Sequence, residues 1–419
     1  MPASLRKLQD QHALSKRIQE SHWARWSLNA AAYAGQFWVI WERITNTVRP
    51  FVRNENKVYH TTNFVKKNVR ADIANLMQTR PSVFVVPSSS DEKDRNAARA
   101  GQQIFEYYWD KLVLTDELAR ALLYSRIFWD GFWYTGWDSS LGNSYDVVTN
   151  PDGGLYRANE EGLPDEGGLP VRTALQDSRF RQVFEALEGQ VPTKSLAEGD
   201  IVVEALTPFE FFPEPNVLRL DKMQWCTRGQ VKPRDQVEGK YGVVLKPVTD
   251  MAAGVLSGWS SNTSDMFGFN PQNNVGEVVT IYETWYRPGH KEYPQGGRCV
   301  WTEEKILHEE KTFPYPHGEL PFSQFQADIQ PTSFFSGTPV DDVREINVEY
   351  NKLMSQIIEV AKRNGAPTIL VPRHARIDPT VIGKPGGVLH YEANVPDSAP
   401  RYLEGAQFPG WIQQLPETL

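Results

Sequence analysis

The residues best suited to chemistry in this chain are acids, one histidine and a block of aromatics. Glu303-Glu304 and Glu309-Glu310 are carboxylate pairs of the kind that general acid/base catalysis uses. Neighbouring residues on a strand point to opposite faces, so neither pair is expected to share a site. His308 precedes Glu309, but no second His stands at the spacing that would put two imidazoles on one helix face. It is therefore read as a hairpin-edge residue, and no metal ligand is assigned. Phosphate chemistry has no loop to run on, because the chain contains neither a Gly-x-x-x-x-Gly-Lys-Ser/Thr segment nor a Gly-x-Gly-x-x-Gly turn. Ser336 stands beside Gly337 without the Gly-x-Ser-x-Gly setting of a nucleophile elbow. The aromatics Phe128, Trp129, Phe132, Trp133, Tyr134 and Trp137 could stack a sugar or a base, but a core or a subunit interface is the better reading. No catalytic residue, no metal and no cofactor is assigned, and the chain is not expected to be an enzyme.

The elements that must position these residues begin with one long helix. Over 338–364, Thr338 is a candidate cap, Pro339 suits the first helical position and Asp341 follows three residues after the cap. Asp341, Asp342 and Glu345 complement the positive end of the helix dipole, and Lys362 and Arg363 the negative end. Asn364-Gly365 and Pro367 stop it. Val340, Val343, Ile346, Tyr350, Leu353, Ile357 and Ala361 form one apolar stripe at helical spacing. A second face carries Asp341, Glu345, Lys352, Gln356, Glu359 and Arg363. At ~1.5 Å per residue the helix is roughly 40 Å long. It is either an ordinary surface helix or one that packs sideways on copies of itself.

The rest of the chain alternates helical and strand-like stretches. Helices are expected over 5–45, 62–79 and 94–127, and strands over 82–87 and 128–138. Residues 139–200 are rich in Gly, Asp, Glu and Asn and read as a surface insertion with a short helix near 174–188. Strands dominate 201–335, interrupted by a Ser/Asn/Gly-rich loop at 257–274. TILVP and GGVLHY are two further strands, and 408–419 starts another helix.

Composition bounds the class. The chain has 419 residues, 40% of them hydrophobic, with 13 Trp, which fits large cores or large interfaces. Two cysteines, Cys226 and Cys299, stand far apart and read as buried thiols of a reducing compartment. The polar N-terminal residues predict no secretory leader, and the apolar stretch 30–41 is too short to span a bilayer. Net charge is −8, yet residues 1–80 hold 13 Lys and Arg against 5 Asp and Glu. A basic N-terminal segment on an acidic body suits an acidic partner, nucleic acid or the body itself, and an acidic body does not suit a static grip on DNA.

The order of segments resembles the portal proteins of tailed double-stranded DNA bacteriophages, podophage-like ones in particular. AAYAGQFW, then NFVKKNVRADIANLMQTRPSVFVVPSSSDEKDRNAARA, then WDGFWYTGWD, LTPFEFFPEP and HGELPFSQFQADIQPTSFFSGTPVDDVREINVEYNKLMSQIIEVAKRNGAPTILVP carry the likeness over nearly the whole chain. The resemblance implies an α+β portal fold: an α/β wing over 1–335 with insertions at 139–200 and 257–274, a first stem helix over 336–365, a small α/β clip over 366–408, and the start of a second stem helix over 409–419. The remainder of that helix and the crown have no counterpart in the chain, and truncation is the expected reason. It further implies a ring, probably of about twelve copies, at one capsid vertex, assembled in the host cytoplasm. Double-stranded DNA would pass through its channel during packaging and ejection. Its partners would be the major capsid protein, scaffolding protein, the terminase large subunit and head-tail adaptor or tail proteins. The charged face would line the channel and the apolar stripe would pack neighbouring stems. Two alternatives stand beside it: another oligomeric virion connector or capsid component without a channel, and a Trp-rich carbohydrate-active enzyme.

Overall fold

The computed structural model describes residues 5–44, 47–54, 57–78, 83–139, 141–142, 144–149, 155–157, 193–197, 199–246, 278–365, 369–370 and 401–402. These form a mixed α+β molecule whose sheets are antiparallel throughout. Helix α1 (Leu5–Ala34) leads into a hairpin of β1 (Val39–Glu42) and β2 (Thr47–Pro50). Then come α2 (Phe64–Leu76), α3 (Glu92–Lys111), α4 (Leu114–Phe128) and β3 (Asp130–Asp138). Strands β4 (Ser144–Thr149), β5 (Leu155–Arg157) and β6 (Thr193–Ala197) make a three-stranded sheet of their own. The body continues with β7 (Asp200–Leu206), β8 (Phe211–Pro213), β9 (Trp225–Pro233), α5 (Arg234–Tyr241), β10 (Val278–Pro288), β11 (Gln295–Trp301), β12 (Ile306–Glu310) and β13 (Phe322–Gln326). The long helix α6 (Pro339–Gly365) follows, then β14 (Ile369–Leu370), which pairs with β15 (Arg401–Tyr402).

Two sheets and two helices enclose the main core. One sheet has the order β12-β11-β10-β9-β8 and the other β13-β3-β7. Trp26 of α1, Phe128 of α4, Phe132 of β3, Phe211 of β8, Trp285 of β10 and Phe335 meet between them. Phe132 stacks on Phe211 at 4.3 Å between centroids, and Trp26 meets Phe335 edge-on at 5.0 Å. Close packing of this kind fixes the strands against α4 so tightly that a Cβ at Gly131 would come within 2.1 Å of the Ala121 carbonyl oxygen.

Several boundaries differ from the sequence reading. The first helix ends at Ala34 rather than near 45, because Gly35 turns the chain at φ +88° and residues 39–50 pair as a hairpin. The second is confined to Phe64–Leu76, where Asn63 Oδ1 accepts the Lys66 N–H as a cap. The expected helix over 94–127 is two helices, broken at Val113 in the left-handed region at φ 49°. That break lets Trp109, Leu114 and Leu118 pack together. Residues 83–87 belong to no strand, and Gln102 Oε1 takes the Val85 N–H in place of a ladder partner. The segment read as a surface insertion carries β4, β5 and β6. The short helix near 174–188, the loop at 257–274, GGVLHY and the helix start after 408 lie outside the described residues, as does most of the segment read as the clip.

Candidate functional site

The candidate site is α6 and the structure that holds it. Its start is fixed by a buried polar knot. Asp130, at the head of β3, accepts hydrogen bonds from the Ser336 N–H and Oγ, both at 2.8 Å, and from Gln324 Nε2 at 3.0 Å. Burial pushes the Asp130 carboxyl up to about 7, against the opposing pull of those three donors. Two residues after Ser336, Thr338 Oγ1 donates to the Arg126 carbonyl at 2.6 Å and accepts the Val340 N–H at 3.3 Å. The threonine at the cap position thus ties α6 to α4 as well as capping it.

Asn29, fully buried on α1, completes the seat. Its Nδ2 donates to the Asp341 carboxylate at 2.9 Å and to the Ile127 carbonyl at 3.2 Å, and its Oδ1 accepts from Arg344 at 2.9 Å. Trp129 Nε1 donates to the other Asp341 oxygen at 2.8 Å. Trp129 sits at φ 78°, an uncommon backbone for a non-glycine residue, at the junction of α4 and β3. Asp341 is therefore held inside its own chain and does not belong to an open charged face.

Beyond this seat α6 is bound by an extended strap. The Val58, His60, Thr62 and Phe64 N–H groups donate to Glu359 Oε1, Ser355 Oγ, Asn351 Oδ1 and Asn347 Oδ1, at 2.9, 2.8, 2.8 and 2.9 Å. Asn347 and Asn351 also donate through Nδ2 to the Thr62 carbonyl at 2.8 and 3.1 Å. The match is geometric. Every second residue of an extended chain advances roughly 6.6 Å, and every fourth residue of a helix roughly 6 Å, so the two repeats keep step over four contacts. Tyr350 adds a ring contact to Phe64 at 5.1 Å. Trp38 of the hairpin joins in, donating to the His60 carbonyl at 3.1 Å and meeting Tyr59 at 4.9 Å.

This arrangement redistributes the residues singled out in the sequence. Val340 is buried in a cluster with Ala32, Phe37, Val65 and Val69, and Val343 packs against it, so the head of the apolar stripe belongs to the chain's own core. Ile346 is 70% exposed, Tyr350, Leu353 and Ile357 are half-buried, and Ala361 is exposed. Of the charged face, Glu345, Lys352 and Gln356 are exposed, and Lys352 pairs with Glu349 at 2.6 Å. Glu359 faces the strap, and the Arg363 side chain lies outside the described residues. Asn347, Asn351 and Ser355, which the sequence reading missed, carry the strap. Their signal was legible: three small polar residues four apart inside a helix, where Asn is a poor helix former unless its amide bonds a backbone.

The other chemistry-bearing residues make contacts within the fold. Glu309 accepts from the Tyr293 hydroxyl at 2.8 Å, while Glu310 pairs with Arg298 and with His308. The two acids thus serve opposite faces of β12. Phe128, Trp129, Phe132 and Tyr134 are core, Trp133 packs on Phe325, and Trp137 is half-exposed. Cys226 and Cys299 are buried free thiols. A cavity of about 620 Å³ lies between the two main sheets, but its arginines are occupied: Arg228 pairs with Glu204 and Arg298 with Glu283. Among the described residues no three His, Cys, Asp or Glu side chains converge as a metal site, and no helix is long and apolar enough to cross a membrane.

No protein-family model matches the chain, and no curated protein matches it significantly.

Proposed function

We propose that the chain is the subunit of a phage portal: a ring at one capsid vertex that passes double-stranded DNA and docks the packaging motor, then head-tail connector proteins. The observation that carries this reading is the clamped long helix. A helix of 27 residues is fixed to an α/β body at its head, strapped along one side and left open to solvent on the other. A stem that bears the thrust of moving DNA needs such a rigid root, and an open flank for its neighbours. The short pairing of β14 with β15 adds support, since the chain leaves the end of α6 and returns beside it about thirty residues later, as a clip between two stem helices requires.

Lys352 and Gln356, exposed further along the open side, give it no concentration of positive charge, which suits a wall that does not hold phosphate. A static DNA-binding surface would instead concentrate Lys and Arg. The test is mass photometry of the purified protein across a concentration series. Rings of about twelve subunits are expected. A concentration-independent monomer would contradict the proposal.

A further inference from the structure

Two exposed surfaces of the chain complement each other but cannot meet within one copy. The first is the hairpin. Trp41 and Val48 pair across it and face inward, while Ile40 and Arg49 pair on the outer face. At its tip and just beyond, Ile44 is 94% exposed and Val52 88% exposed. Arg43 and Arg49 stand at the tip end, Arg49 paired with Glu42 at 2.8 Å, and Arg53 and Lys57 follow Val52 at the far end, all four exposed. An isolated two-stranded hairpin is marginal in water, so exposed aliphatic side chains on it are a cost unless something covers them.

The second surface is the outer flank of α6. Ile346 is exposed there among Asp342, Glu345 and Glu349, all exposed acids, of which Glu349 is paired with Lys352. By helical periodicity these four lie nearly opposite the line of Asn347, Asn351 and Ser355. The strap, and through Trp38 the hairpin, are bound on that other line. A chain's own hairpin is thus anchored away from its own acidic flank.

We propose that the basic, aliphatic hairpin of one copy docks on the acidic, Ile346-centred flank of α6 of the next copy. The contact is heterologous, since two different patches meet, and a heterologous contact repeated by rotation closes a ring. Charge of opposite sign surrounds an apolar centre on each side, which fixes register and rejects the hairpin-to-hairpin pairing. Nucleic acid is the poorer occupant of the hairpin, because each basic end carries an exposed aliphatic side chain, Ile44 beside Arg43 and Val52 beside Arg53, that a phosphate backbone would leave uncovered. The proposal deepens the ring reading and rests on it.

The test is cross-linking of the full chain with a short bis-maleimide after Ile44→Cys and Ile346→Cys, made singly and together, with the mass of each variant measured in parallel. The native Cys226 and Cys299 are buried and contribute little background. The double variant is expected to give a ladder of dimers, trimers and higher products. Each single variant is expected to give none, because a heterologous contact never brings a residue to its own copy. A single variant that dimerises overturns the proposal. Oligomers of normal mass without a ladder overturn this contact while leaving the ring intact. A monomer without a ladder overturns both. Absence of the ladder, together with loss of DNA binding on Arg43→Glu with Arg49→Glu, would assign the hairpin to nucleic acid instead.

Discussion

Asn29 holds an acid and a base of α6 at once, donating a hydrogen bond to Asp341 and accepting one from Arg344. Replacing it by Ala leaves a half-buried guanidinium without that acceptor and removes one donor from the carboxylate. Asn29→Ala is expected to lower unfolding stability by about 2–3 kcal/mol, read as a shift in urea midpoint at unchanged slope. Asp130 gives a second residue-scale expectation, in pH. Its carboxyl is pushed up to about 7 in the folded chain, from an ordinary value of 3.8, chiefly by burial. The folded state therefore holds this proton more tightly than the unfolded one, so its contribution to stability is fully present below pH 3.8 and is lost as pH rises through about 7. Thermal midpoints of the wild type and of Asp130→Asn, compared between those limits, should converge as pH rises. Parallel profiles would mean that Asp130 is ionised throughout. Neither role was legible in the sequence: both are single polar residues whose partners lie one hundred to three hundred positions away.

At the scale of elements, the strap is the feature with most consequence. Asn351 bonds both the N–H and the C=O of Thr62, so Asn351→Ala removes the centre of the ladder while leaving α6 a better helix former. Amide exchange at His60, Thr62 and Phe64 is expected to quicken by roughly tenfold, the equivalent of about 1.4 kcal/mol of local stability, with protection in β9 and β10 unchanged. Uniform acceleration across the chain would show a general loss of stability rather than a local release. The helix itself was legible because its cap, dipole charges and stop agree over 27 residues. Its packing was not. The apolar stripe dominated the reading, although the strap binds through Asn and Ser, whose partner is backbone and leaves no trace in the sequence pattern. The break at Val113 was hidden for a similar reason. Helix propensity runs unbroken through 94–127, and tertiary packing of Trp109 on Leu114 and Leu118 decides the bend.

For the whole molecule, the charge asymmetry seen in the sequence acquires a location. The basic excess of residues 1–80 includes the exposed Arg43, Arg49, Arg53 and Lys57, while exposed Asp342, Glu345 and Glu349 mark the opposite flank of α6. A molecule polarised in this way is expected to assemble more weakly as salt rises, because the charges are solvent-exposed and screened within about 10 Å at 0.1 M. Oligomer mass measured between low and high ionic strength should fall, and an increase would point to association driven by apolar contact alone. The α+β class was readable from the strand and helix patterns, as were the strands described within 201–335, though the helix α5 among them was not. What no single chain discloses is the arrangement of copies around an axis. The most direct measurement is therefore single-particle imaging of the purified protein. The account requires rings with a central opening that admits duplex DNA, with the strapped side of α6 turned toward its own body. Uniform monomers, or closed assemblies without an opening, would contradict it.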